Sequence, residues 1–362
     1  MPHNLAIAYF ITAHGFGHAC RAAAVMEAIL QRYPETRFEL FTTSPQELFA
    51  SSIGHGFGYH PINSDIGVVQ LSPLEEDLSA TCDQLDRAFP FKTSMVDEIA
   101  GDLIQLKCRL VICDISPLGI EVARSAGIES VLVENFTWDW IYRSYQSSEP
   151  RFGPHIQYLV DVYRHADHHI QSPPICRPAT DAVGMSPISR RVRSERHQVR
   201  KRLGISDEEK MVLLSMGGIP DRHAFLSQLP EALEWYLVVA GAGANQSPRK
   251  RIRLLPTFSE FFHPDLMAAA DALVGKAGYS TVAEAYHCGI PFGYIKRPRS
   301  PESAVLESFI DRYLPSMAIP AAAYPSGEWI TKLPDLFCKP RSEEKKVNGA
   351  DQVADYIGKL LA

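Results

Sequence analysis

No run of about eighteen consecutive apolar residues occurs in the 362-residue chain, so the sequence offers no helix that could span a bilayer. Nor does it open on the basic region, apolar stretch and small-residue cleavage site of a signal peptide, and a cytoplasmic protein is expected. Cysteine is scattered: seven residues, at 20, 82, 108, 113, 176, 288 and 338, form no Cys-x-x-Cys pair. This spacing argues against a zinc site or a disulfide framework and predicts reduced thiols. Basic charge is not in excess. A net charge of −6 argues against sequence-independent binding to nucleic acid, and no nucleic-acid partner is expected. No two aspartates are separated by a single residue, so no acidic metal cluster is evident. No internal repeat with a solenoid period is present.

What is there fits a soluble α/β enzyme. Hydrophobic residues make up 46% and charged residues 22%, enough to bury a core in each of two domains of ordinary size. Strand-like runs at Leu5–Ile11, Arg37–Thr43, Arg109–Asp114, Glu129–Val133 and His168–Gln171 alternate with helical segments. A second series follows at Met211–Met216, Tyr236–Ala240, Arg251–Leu255, Ala272–Val274 and Phe292–Ile295. Such alternation implies parallel sheets covered on both faces. Residues 172–189, rich in proline and serine, break the pattern. The domains are therefore read as 1–175 and 205–341, with a linker at 176–204 and a terminal helix at 342–362 on which Val353, Ile357, Leu360 and Leu361 share a face. The basic run Arg190 to Arg202 within the linker has two readings: a solvated helical face, or a patch for phosphates or an anionic membrane surface, which would give peripheral membrane contact.

Two segments carry chemistry. In Leu273-Val274-Gly275-Lys276-Ala277-Gly278-Tyr279-Ser280-Thr281-Val282-Ala283-Glu284, a strand, a glycine-bearing turn and a helix start follow one another. Gly275 and Gly278 would let the backbone turn and approach a ligand, Ser280 or Thr281 would cap the helix, and its first N–H groups would face an anion. Glu284, on the first turn, would reach a ribose hydroxyl. Near the N-terminus an apolar strand runs into His14-Gly15-Phe16-Gly17-His18 and a small-residue helix. This turn lacks the third glycine of a dinucleotide fingerprint, since Cys20 stands there, which argues against a redox cofactor.

The run Gly15 to Arg21, the segment Val133-Glu134-Asn135-Phe136-Thr137-Trp138-Asp139-Trp140-Ile141-Tyr142, and the pairing of Pro264-Asp265-Leu266-Met267 with Gly275 to Tyr279 resemble the N-terminal glycosyltransferase-like region of plant L-arabinokinase and its free-standing bacterial relatives. More distantly the chain is similar to GT-B glycosyltransferases, including the N-acetylglucosaminyltransferase that makes lipid II. The resemblance implies two Rossmann-like domains with parallel sheets facing a central cleft, the first on the acceptor side and the second holding a nucleotide-sugar, here with a UDP-linked donor. The galactokinase-like domain of the plant protein has no counterpart in this sequence, and sugar-kinase activity is not expected. By the same resemblance Glu284 binds the ribose, Phe258 the base, and Gly217-Gly218 lies close to the diphosphate. Arg297, Arg299 and Glu302 fall where relatives contact the donor sugar or phosphate. Ser303 follows Glu302 where many relatives carry a glutamine, which leaves the donor sugar open.

Transfer requires charge stabilisation of the leaving diphosphate and a base for the acceptor hydroxyl. Lys276, the helix start at Tyr279-Ser280-Thr281 and Arg297 or Arg299 supply positive potential without a metal. His18 and His14 are candidate bases. Asp114 either orients a histidine, acts itself, or caps the following helix. On the acceptor side, with Gly15, Gly17 and Asn135, Arg21 would bind an acceptor anion or the donor phosphate, and Trp138, Asp139 and Trp140 read either as a sugar platform or as core tryptophans of a helix. The expected reaction is an inverting, metal-independent transfer from a nucleotide-sugar, bound as a substrate with no cofactor, to an unknown small-molecule, glycan or lipid-linked acceptor. A nucleotide-sugar epimerase or hydrolase and a non-catalytic nucleotide-sugar-binding protein are the alternatives.

Overall fold

The computed structural model describes residues 5–72, 75–217, 223–230, 232–242 and 249–362. It divides into two units, residues 1–188 with 347–362, and residues 189–346. The stretch 176–204, read from sequence as a linker, is therefore split between them. The terminal helix, Gly349–Leu360, packs on the first unit.

The first unit opens with β1 (Ala6–Ile11), α1 (Phe16–Arg32), β2 (Arg37–Phe41), α2 (Gln46–Ile53) and β3 (Phe57–His60). The short antiparallel pair β4 (Gln70–Ser72) and β5 (Glu75–Glu76) follows, then α3 (Leu78–Ala88), α4 (Thr93–Gln105) and β6 (Cys108–Asp114). After these come α5 (Pro117–Ala126), β7 (Ser130–Glu134), α6 (Trp138–Tyr145), α7 (Phe152–Tyr163), β8 (His168–Gln171) and β9 (Val183–Gly184). The sheet runs β3-β2-β1-β6-β7-β8-β9 and every pairing in it is parallel. β1 shows why its sequence is apolar throughout. Ile7, Tyr9 and Ile11 pack with α1 and the terminal helix, while Ala6, Ala8 and Phe10 pack with α4 and α5 on the opposite face. A parallel strand buried on both sides has no solvent face to mark with polar residues. On the terminal helix Val353 and Ile357 are buried and Leu360 and Leu361 half-buried. Arg32 ties α1 to that helix through Asp351 (3.0 Å) and Asp355 (2.6 Å).

The second unit runs α8 (Arg196–Leu203), β10 (Met211–Ser215), β11 (Tyr236–Ala240), β12 (Ile252–Leu255) and α9 (His263–Ala269). It continues with β13 (Ala272–Lys276), α10 (Tyr279–Cys288), β14 (Phe292–Ile295), α11 (Ser303–Tyr313) and β15 (Ser316–Ile319). Its parallel sheet has the order β12-β11-β10-β13-β14-β15. Leu213 and Leu273 face α8, α9 and α10, and Val212, Leu214 and Val274 face a cluster built on Phe225 and Trp329. The strands absent from the sequence reading, β3, β4, β5, β9 and β15, are two to four residues long. Among the described residues no helix is long and apolar enough to cross a membrane.

The basic run does not form a wholly solvated face. Arg200 has no exposed surface and Arg190 keeps 8% of its own. Arg200 reaches the Ala269 carbonyl at 2.8 Å and Asp271 at 3.4 Å, and the rings of Phe262 and Phe261 carry Arg193 and Arg202 at 4.4 and 4.5 Å. Part of the run is thus mortar between α8, α9 and the phenylalanine loop.

Candidate active site

In each sheet the strand order reverses once, between β1 and β6 in the first unit and between β10 and β13 in the second. The carboxyl ends of strands at such a reversal form a crevice where open parallel sheets bind ligands.

In the first unit β1 leads through Thr12-Ala13-His14 to Gly15, which caps α1 with φ +74°, a conformation that favours glycine. Gly17 follows in the first turn. His18 and Arg21, one turn apart on α1, converge on Asp114, the last residue of β6. His18 Nδ1 lies 2.6 Å from Asp114 Oδ1. Arg21 donates from Nη2 to the same oxygen (2.5 Å) and from Nε to Oδ2 (2.7 Å). Arg21 Nη1 also donates to the Asn135 side-chain carbonyl, and the Asn135 amide donates to the Ser172 carbonyl. Asp114 has no exposed surface, and His18 and Arg21 keep 7% and 5%. Burial alone would raise the Asp114 carboxyl, but the Arg21 charge and then His18 outweigh it and hold it below the ordinary carboxylate value. A charged Asp114 accepting from Nδ1–H fixes the His18 tautomer with its basic lone pair on Nε2. Asp114 does not cap the next helix: Ser116 does, accepting from Gly119 N at 3.3 Å. Arg21, bound to Asp114 and Asn135, is not disposed as a receptor for an acceptor anion.

His14 stands half-buried beside this network, edge-on to Trp138 with ring centroids 5.3 Å apart. Trp138 is 2% exposed and stacks on Tyr142 (5.9 Å, 17°). Its indole N–H donates to Asp65 at 2.9 Å. Asp139 is fully buried, accepting from Thr137 (2.5 Å) and Arg177 (3.0 Å). Of the sugar platform expected from Trp138, Asp139 and Trp140, the first tryptophan and the acid are buried, whereas Trp140 is half-buried. Asp65, which accepts from Thr12 Oγ1 at 2.8 Å, was not singled out by sequence. It sits in a loop whose composition carries no motif.

In the second unit Gly275 lies within β13, where a Cβ would fall 2.0 Å from the Ser215 carbonyl oxygen. Its glycine lets two strands approach, not a ligand. The cap of α10 is Gly278, with no side-chain cap bond, so neither Ser280 nor Thr281 fulfils the capping role. A Cβ at Gly278 would meet nothing within 4 Å, and Tyr279 and Ser280 at the helix start are half-buried. Thr281 is buried in the first turn and Lys276 half-buried at the strand end. Glu284 keeps 2% exposure. Its Oε1 accepts from Arg190 Nε and its Oε2 from His263 Nδ1, both at 2.9 Å, and His263 Nε2 is 2.9 Å from Ser215 Oγ. Burial raises the Glu284 carboxyl, but the Arg190 charge and the His263 hydrogen bond win and bring it down to about 2. Arg190 and His263 were not picked out as site residues, although one lay in the basic run and the other immediately precedes Pro264.

Arg297 is buried, 3.5 Å from Glu302, whereas Arg299 is exposed. Gly217, with φ +72°, and Phe258, 47% exposed, both lie at the surface. Gly218 lies outside the described residues.

No family model matches the chain. It is 29% identical over 363 residues to L-arabinokinase of Arabidopsis thaliana, a match that covers 98% of this chain and 34% of that protein. The chain thus spans about a third of its relative. Among solved structures, MurG of Acinetobacter baumannii superposes with a TM-score of 0.56 at 17% identity over 98% of this chain and 99% of the other. The glycosyltransferase SnogD of Streptomyces nogalater gives a TM-score of 0.59 at 15% identity over 99% and 100%. With two parallel-sheet Rossmann-like units and superpositions on these enzymes that cover nearly the whole chain, the protein has the GT-B glycosyltransferase fold.

Proposed function

We propose that this chain is a glycosyltransferase that moves a sugar from a nucleotide-sugar, UDP-linked by preference, to a hydroxyl-bearing acceptor with inversion and without a metal ion. The observation that carries the proposal is the His18–Asp114 pair at the strand reversal of the first unit. Asp114, kept charged by Arg21, orients the His18 ring as a base. In the reaction Nε2 of His18 takes the acceptor's proton while the acceptor oxygen bonds to the anomeric carbon. The bond from that carbon to the diphosphate breaks, and its electron pair leaves with the diphosphate. One displacement inverts the centre.

In the second unit the start of α10, with Lys276 beside it in sequence, is proposed to take the diphosphate through helix N–H groups and positive potential. Glu284 is proposed as the ribose acceptor. Each of its oxygens accepts one protein hydrogen bond, and a carboxylate oxygen can accept a second. The epimerase or hydrolase alternative needs Asp114 and Glu302 as free acids. The first is locked by Arg21 and His18 and the second pairs with Arg297, which argues against it.

The test is a thermal-shift panel of nucleotide-sugars followed by assays of nucleotide release with sugar and polyol acceptors. A true donor at one hundred times its dissociation constant stabilises by about 2.7 kcal/mol. Stabilisation without nucleotide release from any acceptor would favour the binding-protein reading, and no stabilisation by any nucleotide-sugar would remove the proposal.

A further inference from the structure

Several loops of the first unit converge on a carboxyl that the His18–Asp114 pair does not use. Asp65 follows β3 and is held on both oxygens: Thr12 Oγ1 donates to Oδ1 at 2.8 Å and Trp138 Nε1 to Oδ2 at 2.9 Å. Both donors are buried, at 0% and 2% exposure. The loop itself is pinned. Ser64 Oγ donates to the Ile11 carbonyl (3.2 Å), Ser116 Oγ to the Ser64 carbonyl (3.3 Å), and Tyr142 to the Gly67 carbonyl (2.7 Å). His14 closes on the same loop so tightly that a Cβ at Gly67 would lie 2.7 Å from its Nδ1. Asp65 itself is only partly buried.

A carboxyl oriented by two buried donors and still reachable from solvent is a pre-organised acceptor. Each oxygen has two acceptor positions, and among the described residues one of each is filled. The charge around it excludes anions, because Asp114 is a second carboxylate and Arg21 is engaged by Asp114 and Asn135. The titratable groups facing Asp65 are Asp114 at the end of β6, His14 before α1, Tyr142 on α6 and Tyr163 on α7. Burial pushes the Asp65 carboxyl up to about 7, Trp138 and Thr12 oppose this, and Asp114 adds to it.

We infer that Asp65, with Thr12 and Trp138, is the seat that reads a hydroxyl of the acceptor, so that the acceptor presents a neutral sugar or polyol face to this unit. The inference rests on the acceptor-side role proposed above, but its test uses no nucleotide and no turnover.

The probe is the indole N–H resonance of Trp138 in two-dimensional ¹H–¹⁵N spectra, assigned with Trp138→Phe. D-glucose, D-galactose and D-xylose serve as neutral probes and D-glucuronate as the anion, at pH values either side of neutrality. In the wild type the resonance is expected to move with pH through neutrality and to move with at least one neutral sugar, while glucuronate leaves it in place above neutral pH. Asp65→Asn should abolish the pH movement and weaken sugar binding about tenfold or more. The other indole resonances report whether that variant is folded, and Thr12→Val, which removes one of the two orienting donors, is the second variant should it not fold. No response to any neutral sugar, a response to glucuronate equal to theirs, or unchanged sugar binding in the folded variants would overturn the inference. The donor panel can fail while this test succeeds, and the reverse.

Discussion

Nδ1 of His18 lies 2.6 Å from Oδ1 of Asp114, across 96 positions of sequence. The two reach each other because β1, which leads into the His18 helix, and β6, which ends at Asp114, are neighbours in the sheet. Arg21 completes the arrangement by occupying both Asp114 oxygens. Asp114 is thereby a fixed charge, unable to take up a proton near neutrality, and proton transfer falls to the imidazole.

His18→Ala is expected to lower turnover about 10²–10⁴-fold with little change in donor affinity, as for loss of a general base. Steady-state rates with calorimetric donor titration separate the two effects, and a parallel loss of affinity would assign His18 to phosphate binding instead. His14→Ala is the control and should cost far less. Asp114→Ala should lower turnover and also destabilise the fold by about 3–5 kcal/mol, because Arg21 is left buried without its carboxylate. Chemical denaturation measures the second effect.

Glu284 gives a pH-dependent stability of defined sign. Its folded pKa of about 2 lies below its ordinary value of 4.5, so its contribution is present in full above the ordinary value and is lost as pH falls from there towards 2. The shift corresponds to a contribution on the order of 3 kcal/mol. Glu284→Gln should flatten the acid limb of the stability curve in that window. Glu284→Ala should also weaken nucleotide-sugar binding by roughly 1.5–3 kcal/mol; unchanged affinity in calorimetry would remove its ribose role.

Gly275 and Gly278 should respond oppositely to alanine. At Gly275 the added Cβ meets the Ser215 carbonyl, which belongs to the neighbouring strand, and a loss of about 1–3 kcal/mol is expected. At Gly278 the space is open and φ is −126°, so thermal stability should hold. If the start of α10 holds the diphosphate, Gly278→Ala should still raise the dissociation constant for UDP. Equal UDP binding by that variant would move the phosphate site elsewhere.

Excess chelator should leave the initial rate intact, since the helix start and Lys276 are proposed to meet the charge building on the leaving diphosphate. Rates with EDTA, and with Mg²⁺ or Mn²⁺ restored, decide it. Complete loss and full recovery would require a carboxylate-bound metal and displace the charge-stabilisation scheme.

The sequence by itself determined the architecture, because strands buried on both faces must be apolar throughout and the alternation of such runs with helices admits only parallel sheets. The glycine turn before His18 and the strand, turn and helix around Gly278 were legible for the same reason: local backbone conformation leaves a local mark. Tertiary structure decided the partners. Asp114 could be a cap or a member of the active centre until sheet order placed it beside His18 and left the capping to Ser116. The ring of Trp138 and the carboxylate of Asp139 had the composition of a sugar platform, but both are buried, the ring against Tyr142 and the carboxylate against Arg177. Arg190 and Arg200 read as surface charge until Glu284 and the carbonyls at the end of α9 were found beneath them. Asp65 left no trace in its own loop. Its significance depends on Thr12 and Trp138, 53 and 73 positions away, and contacts of that range are created by strand order, which no local pattern encodes.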